Sequence, residues 1–155
     1  MTSMLEAILR VLRDASNRVV LRLPDGGGWT ARELDQRSGQ IASALVALGV
    51  VPGDRVAAQV EKSPEALALY LASLRCGAVF LPLNPAYRQG ELGPMLADAA
   101  PRVVVADPER AALLAGLAPD AAVVTLDPHG RGSLADEAQA AAVLPPLARA
   151  PTDPA

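Results

Sequence analysis

The strongest constraint on the fold is an apolar strand, a helix and a second apolar strand that follow one another along the chain. They lie at 56–60, 64–76 and 78–83, and Asn84-Pro85 ends the last one. A long apolar run without alternation is typical of a strand buried on both faces. A crossover through a helix gives parallel strands with a right-handed connection. These residues therefore predict a parallel sheet, with 78–83 as a central strand.

The same alternation continues downstream. A segment interrupted by Gly and Pro at 90–99 predicts a short or bent helix, and "RVVVA" at 102–106 predicts a strand. A helix from about 108 to 114 and a strand at "AAVVTL" follow, and "LADEAQAAAVL" predicts one further helix. Alternation of strands and helices is typical of a parallel sheet between helical layers. The sequence predicts an α/β fold in which a mostly parallel sheet carries helices on both faces.

Two helices have clear start signals. Thr30 and Glu33 have the spacing of a capping box, in which each residue bonds the other's backbone amide. Ser63-Pro64-Glu65 combines a capping hydroxyl, a proline at the first helical position and an acid near the positive end of the helix. Before them, a helical stripe at 5–12 and an extended segment at 19–23 predict a helix and a hairpin.

Length and composition bound the class of protein. The 155 residues suffice for one domain, and 51% of them are hydrophobic but only 3% aromatic, so the core consists mainly of Ala, Val and Leu. The formal charge of −3 argues against nucleic-acid binding, which requires clustered Lys and Arg. We assign 1–144 to one N-terminal α/β subdomain. The Pro-rich stretch 145–155 is expected to be an extended tail that leads to the rest of a longer protein.

Single residues with reactive side chains do not form a recognisable catalytic site. Cys76 adjoins the apolar strand and is expected to be a buried hydrophobic residue. His129 lies in a predicted loop with no partner fixed beside it, and Gly26-Gly27-Gly28 lacks the Lys-Ser/Thr of a phosphate loop. No spacing of residues predicts a metal site. One cysteine, no membrane-length apolar run and no signal peptide predict a cytoplasmic protein without a membrane span.

Residues 28–110 resemble the N-terminal region of the adenylate-forming acyl-CoA synthetases, a family that includes adenylation domains of nonribosomal peptide synthetases and luciferases. Four motifs carry the resemblance, and they occur in the family's order and at its spacing. They are Thr30-x-x-Glu33-Leu34, "GDRV" at 53–56, Ser63-Pro64-Glu65, and "GAVFLPLNPAY" at 77–87. The residues of these motifs that we assign a structural role are Thr30, Glu33, Gly77, Pro82, Asn84, Pro85 and Tyr87. Within the family, "QVEKSPEALALYLASLRCGAVFLPLN" and "GRGSL" are most similar to malonyl-CoA and methylmalonyl-CoA synthetases.

The resemblance implies a two-step ligase. A carboxylate and ATP, with Mg²⁺, form an acyl-adenylate and pyrophosphate, and coenzyme A then displaces AMP. The family's phosphate loop, its adenine and ribose motifs and its catalytic lysine have no match here, so no catalytic residue is assigned. ATP, Mg²⁺ and coenzyme A are expected for a full-length parent and none for this chain alone. In some relatives an arginine after the strand matching 102–106 helps to hold the nucleotide end of coenzyme A, and Arg110 is the nearest match.

Two hypotheses follow. In the first, the chain is the N-terminal part of a malonyl-CoA-synthetase-like ligase and is inactive alone. Surface that packs on the remainder would then be exposed, so self-association is expected of an isolated piece. In the second, the chain is a stand-alone, non-catalytic α/β module that uses the scaffold for protein contacts. A Ser/Thr/Gly-rich loop followed by Lys, encoded beyond residue 155, would favour the first.

Overall fold

The computed structural model describes residues 4–145. The hairpin strands are β1 (Val19–Arg22) and β2 (Gly28–Thr30), and the remaining strands are β3 (Arg55–Gln59), β4 (Val79–Pro82), β5 (Val103–Ala106) and β6 (Ala122–Thr125). The helices are α1 (Met4–Asp14), α2 (Ala31–Ala47), α3 (Pro64–Arg75), α4 (Gln89–Ala99), α5 (Ala111–Leu117) and α6 (Ser133–Gln139). A 3₁₀ turn at Pro108–Arg110 precedes α5. Of the predicted tail, 146–155 lies outside the described residues. The described helices include none that is both long and apolar enough to cross a membrane.

The four later strands form a parallel sheet in the order β4-β3-β5-β6, and β1 and β2 pair as an antiparallel hairpin. Helices cover both faces of the sheet. Alternation along β5 shows the division, since Val103 and Val105 belong to one core and Val104 and Ala106 to the other. The first core lies against α1, α2, α3 and α6, and the second against α4 and α5. The predicted α/β fold with helices on both faces is confirmed.

The position of β4 corrects the sequence analysis. We expected 78–83 to be a central strand, but among the described residues β4 pairs only with β3 and lies at the edge of the sheet. Val79, Phe80 and Leu81 are only partly buried, whereas four of the five residues of β3 and all of β5 are buried. An apolar run reports how well the two faces of a strand are covered. It does not report whether a neighbour pairs with each edge.

The predicted helix starts are present. The Thr30 hydroxyl accepts a hydrogen bond from the Glu33 N–H, and the Glu33 carboxylate accepts one from the Thr30 N–H. Ser63 Oγ likewise accepts from the Ala66 N–H at the start of α3. Helix α4 spans Gln89–Ala99, within one residue of the 90–99 expected, and contains Pro94. Leu92 and Leu96 of this helix are buried in the second core.

The last described residues are held against α2 by a buried arginine. Arg75, at the end of α3, is 1% exposed, and its guanidinium donates to the Asp35 carboxylate and to Ser38 Oγ on α2. It also donates to the Leu144 carbonyl at 2.9 Å. The Leu144 N–H donates in turn to the Gly39 carbonyl. One cation therefore joins α2, α3 and the segment that follows α6.

Candidate functional site

A cleft of about 280 Å³ opens at the carboxyl edge of the parallel sheet, where β3, β4 and β5 end. Ligands in open α/β sheets bind at this edge, because the loops that follow the strands diverge there. The cleft is lined by Gln59, Val60 and Glu61 after β3, by Pro85 after β4, and by Asp107, Glu109 and Arg110 after β5. Each wall is thus a strand end and the first residues of its loop.

Gln59 connects the first wall of the cleft to the second. Its side chain is 1% exposed, and Nε2 donates to the carbonyls of Asn84 at 2.9 Å and Tyr87 at 3.1 Å. The Oε1 atom has no hydrogen-bond partner among the described residues. Sequence reasoning missed this residue. A polar side chain that ends an otherwise buried strand at the ligand-binding edge is the signal that could have found it.

Arg110 connects the third wall to the same loop. Its Nη2 donates to the Pro85 carbonyl at 3.0 Å and to the Tyr87 carbonyl at 3.1 Å. The side chain is half-buried, so it is not the exposed helical charge that most arginines form. Arg110 follows Asp107, whose Oδ1 accepts from the Glu109 N–H and so fixes the start of the 3₁₀ turn. The structure thereby brings Arg110 against the "NPAY" loop.

Asn84 shapes that loop. Its side-chain Oδ1 accepts from the Ala86 N–H at 2.9 Å, and its carbonyl accepts from the Tyr87 N–H at 3.0 Å. An Asn side chain that bonds the backbone two residues later forms a local turn. Asn84, Pro85, Tyr87 and Arg110 are therefore assembled at one place. Thr30, Glu33 and Gly77 belong to other parts of the fold, and Pro82 ends β4 with its side chain exposed.

The cleft carries more acid than base. Glu61, Asp107 and Glu109 line it together with Arg110, and none of the three carboxylates forms an ion pair within residues 4–145. Arg110 offers donors suited to an anion such as a phosphate. The carboxylates accept hydrogen bonds from hydroxyl or amino groups. The lining therefore combines one cationic donor group with three carboxylate acceptors.

Cys76 and His129 have the settings that the sequence analysis expected. Cys76 is buried, burial raises the pKa of its thiol to about 12, and its Sγ lies 3.3 Å from the Ala42 carbonyl. A thiol in this state is not a nucleophile. His129 is exposed in the turn after β6. Within residues 4–145 there is no group of three or more His, Cys, Asp or Glu side chains that could hold a metal ion.

This open parallel sheet between two helical layers matches the N-terminal part of the adenylate-forming enzyme fold. The sequence motifs pointed to the same class. The chain belongs to the AMP-binding enzyme family, whose model matches residues 10–155. The resemblance found in the sequence is confirmed at the level of the family.

Individual relatives agree with this assignment. The structure of apo MatB from Rhodopseudomonas palustris superimposes with a TM-score of 0.91 at 43% identity over 99% of this chain. ATP-bound MatB from the same organism gives a TM-score of 0.88 at 42% identity over 94% of this chain. A salicyl-AMP ligase/salicyl-S-ArCP synthetase from Mycobacterium tuberculosis is 41% identical in an alignment of 106 residues that covers 63% of this chain.

This chain spans only part of each of these proteins. It covers 31% of apo MatB, 30% of ATP-bound MatB and 19% of the salicyl-AMP ligase. The identities therefore report on the N-terminal portion of the relatives.

Proposed function

We propose that the chain is the N-terminal part of an ATP-dependent acid–CoA ligase that activates malonate or methylmalonate. The parent protein would form an acyl-adenylate from the acid and ATP and then transfer the acyl group to coenzyme A. The observation that carries the proposal is the 43% identity with MatB over nearly the whole chain, together with the carboxyl-edge cleft. The sequence resemblance to malonyl-CoA synthetases favours malonate as the acid.

Within this proposal the cleft receives the nucleotide end of coenzyme A. The guanidinium of Arg110 would meet a phosphate, and Asp107 or Glu109 would accept from ribose hydroxyls or the adenine amino group. Gln59 acts indirectly, because its amide holds the Asn84–Tyr87 loop that forms one wall. None of these side chains is a nucleophile or a general base for the acyl transfer. The role of this chain is therefore to bind and orient.

The other ligands of the reaction are assigned to the parent protein. ATP is bound by the related MatB structure, and we extend that ligand to the parent of this chain. Mg²⁺, when bound, would neutralise charge on the phosphates. The described residues do not fit a metal site, so no step is assigned to them through Mg²⁺.

The test uses the full-length protein that carries this chain. We expect malonate-dependent exchange of pyrophosphate into ATP and formation of a coenzyme A thioester, with neither activity from residues 1–155 alone. Exchange that responds to another acid but not to malonate would contradict the substrate. Activity from the 155 residues alone, or none from the full-length protein with any acid, would contradict the proposal and favour a non-catalytic module.

The cleft is tested by Arg110→Ala in the same protein. We expect the KM for coenzyme A to rise by about tenfold or more, since one charged hydrogen bond is lost, while exchange of pyrophosphate stays near wild type. Arg10→Ala, an exposed arginine on α1, is the matched control. An equal loss in both half-reactions would mean that Arg110 only stabilises the loop.

A further inference from the structure

A second cavity lies apart from the carboxyl-edge cleft and has a volume of about 460 Å³. Its walls are the turn of the β1–β2 hairpin, the segment that enters α3, and the turn after β6. It contains the only Trp, the only Lys and the only His of the sequence, which are Trp29, Lys62 and His129. We call it the Trp29 cavity. The family motifs gave no reason to expect a site here.

The walls of the Trp29 cavity are held by local hydrogen bonds. In the hairpin, the Leu23 N–H donates to the Gly27 carbonyl at 2.9 Å. At the second wall, Ser63 caps α3. At the third wall, Asp127 Oδ1 accepts from the His129 N–H at 2.8 Å. A cavity with three fixed walls needs little rearrangement to bind a ligand, so less free energy is lost on binding.

Much of the lining is flat and apolar. An aromatic ring, an aliphatic side chain and three proline rings surround the space, namely Trp29, Leu23, Pro24, Pro64 and Pro128. Sites for small molecules typically enclose 300–1,000 Å³ of mainly apolar surface, roughly the size found here, with a few polar groups that orient the ligand. The apolar walls of the Trp29 cavity suit a flat ring.

The charges around the cavity leave one cation without a partner. Glu65 lies 3.7 Å from Arg37, so its carboxylate is already paired. Asp25 Oδ1 accepts from the Gly27 N–H, and Asp127 pairs with Arg131 beyond the wall. Lys62 is exposed and forms no hydrogen bond or ion pair with any residue between 4 and 145. The ammonium of Lys62 is thus the group that remains to meet a ligand.

We propose that the Trp29 cavity binds a small organic anion with a flat apolar body, of the class of aromatic carboxylates. The ring packs against Trp29 and the prolines, and the carboxylate pairs with the Lys62 ammonium. His129 lines the same cavity from the turn after β6 and offers a second donor to the carboxylate. The Asp25 carboxylate faces the same space and weakens the binding of any anion. This inference does not depend on the proposed ligase function.

The test uses the fluorescence of Trp29, which reports directly because the chain has no other tryptophan. The probes are benzoate, neutral benzamide and cationic benzylammonium, which share one ring. We expect saturable quenching by benzoate at a concentration at least about threefold lower than by benzamide, the ratio that a solvated ion pair provides. Quenching by benzylammonium should be weakest. Equal responses to the three probes, or tighter binding of benzylammonium, would overturn the proposal.

Variants at Lys62 and Asp25 complete the test. Lys62→Gln should reduce the preference for benzoate over benzamide to about one, Lys62→Arg should retain it, and Arg10→Gln is the matched control for net charge. Asp25→Asn keeps the oxygen that bonds Gly27 and should strengthen benzoate binding. A Lys62→Gln protein that still prefers benzoate would overturn the proposal, as would weaker binding by Asp25→Asn. Thermal unfolding of each variant verifies the fold. Trp29 also borders a neighbouring cavity beside α2, so ligand-detected NMR is used to measure binding without relying on Trp29 fluorescence.

Discussion

The side-chain amide of Gln59 donates to the backbone carbonyl of Asn84 at 2.9 Å, across the ends of two adjacent parallel strands. The same amide reaches the carbonyl of Tyr87 at 3.1 Å. One buried side chain thereby donates hydrogen bonds to two backbone carbonyls of the loop that follows β4. Gln59 lies outside the "GAVFLPLNPAY" motif, yet together with Arg110 it holds the loop of that motif in place.

Gln59→Glu should destabilise the protein by about 3 kcal/mol, because it replaces a donor with a carboxylate that faces carbonyl oxygens in a buried place. Gln36→Glu makes the same change on the exposed side of α2 and should alter stability by less than about 0.5 kcal/mol. Urea unfolding of both variants measures the difference. Equal effects would show that the Gln59 bonds contribute nothing.

Arg75→Met should lower the free energy of unfolding by about 3–5 kcal/mol. The Asp35 carboxylate, Ser38 Oγ and the Leu144 carbonyl would each lose the hydrogen bond that Arg75 donates. Arg22→Met, on an exposed hairpin residue, is the control and should stay within about 0.5 kcal/mol of wild type. The same unfolding measurement applies. In a double variant, Asp35→Asn with Arg75→Met should cost less than the sum of the single changes, since the uncompensated charge disappears. Strict additivity would argue against the ion pair.

Gly39→Ala and Gly116→Ala should have opposite signs, although both glycines lie within helices. A Cβ at Gly39 would clash with Val143 Cγ1 and lie 3.4 Å from the Leu144 nitrogen, so the segment after α6 must move, which should destabilise the protein by about 2 kcal/mol. A Cβ at Gly116 meets nothing within 4 Å and should stabilise α5 by about 0.5–1 kcal/mol. Thermal unfolding distinguishes them. A stabilising Gly39→Ala would contradict the close packing.

The free energy of unfolding should fall as pH rises through the range in which the Glu65 carboxyl group loses its proton. Burial raises the pKa of its carboxyl group, although Arg37 opposes the shift, so the folded state holds this proton more tightly than the unfolded state. The contribution of this group to the free energy of unfolding is therefore largest below the ordinary carboxyl pKa. It is lost as pH rises through the raised pKa of the folded state. The free energy of unfolding of wild type minus that of Glu65→Gln should decrease with pH across that window. A difference that increases with pH would contradict the assignment.

Local patterns predicted most of the elements. The capping box at Thr30 and Glu33 and the Ser63 cap are present as expected, because both depend on residues three apart in the chain. The parallel pairing of β3 and β4 followed from the helix between them. The run at 78–83 was placed wrongly in the sheet, because the order of strands depends on which edges later segments reach.

The carboxyl-edge cleft was predictable only in part. Asn84, Pro85 and Tyr87 were named from the motif, and Arg110 from its position after a strand. Their meeting depends on hydrogen bonds between residues 23 to 25 positions apart, such as Arg110 to Pro85, which no local pattern encodes. The acids of the cleft were missed for the same reason, since Glu61 follows β3 whereas Asp107 and Glu109 follow β5, and only the fold brings them together.

The sequence by itself determined the family, the alternation of strands and helices, and the residues at which helices begin, because these depend on motifs and periodicities within short stretches. Only the tertiary structure decided that β4 lies at an edge, that Arg75 is buried against α2, and that Trp29, Lys62 and His129 share one cavity. The physical reason is that strand order and side-chain burial are set by packing between distant segments. That packing free energy is summed over the whole core and is not a property of any one stretch.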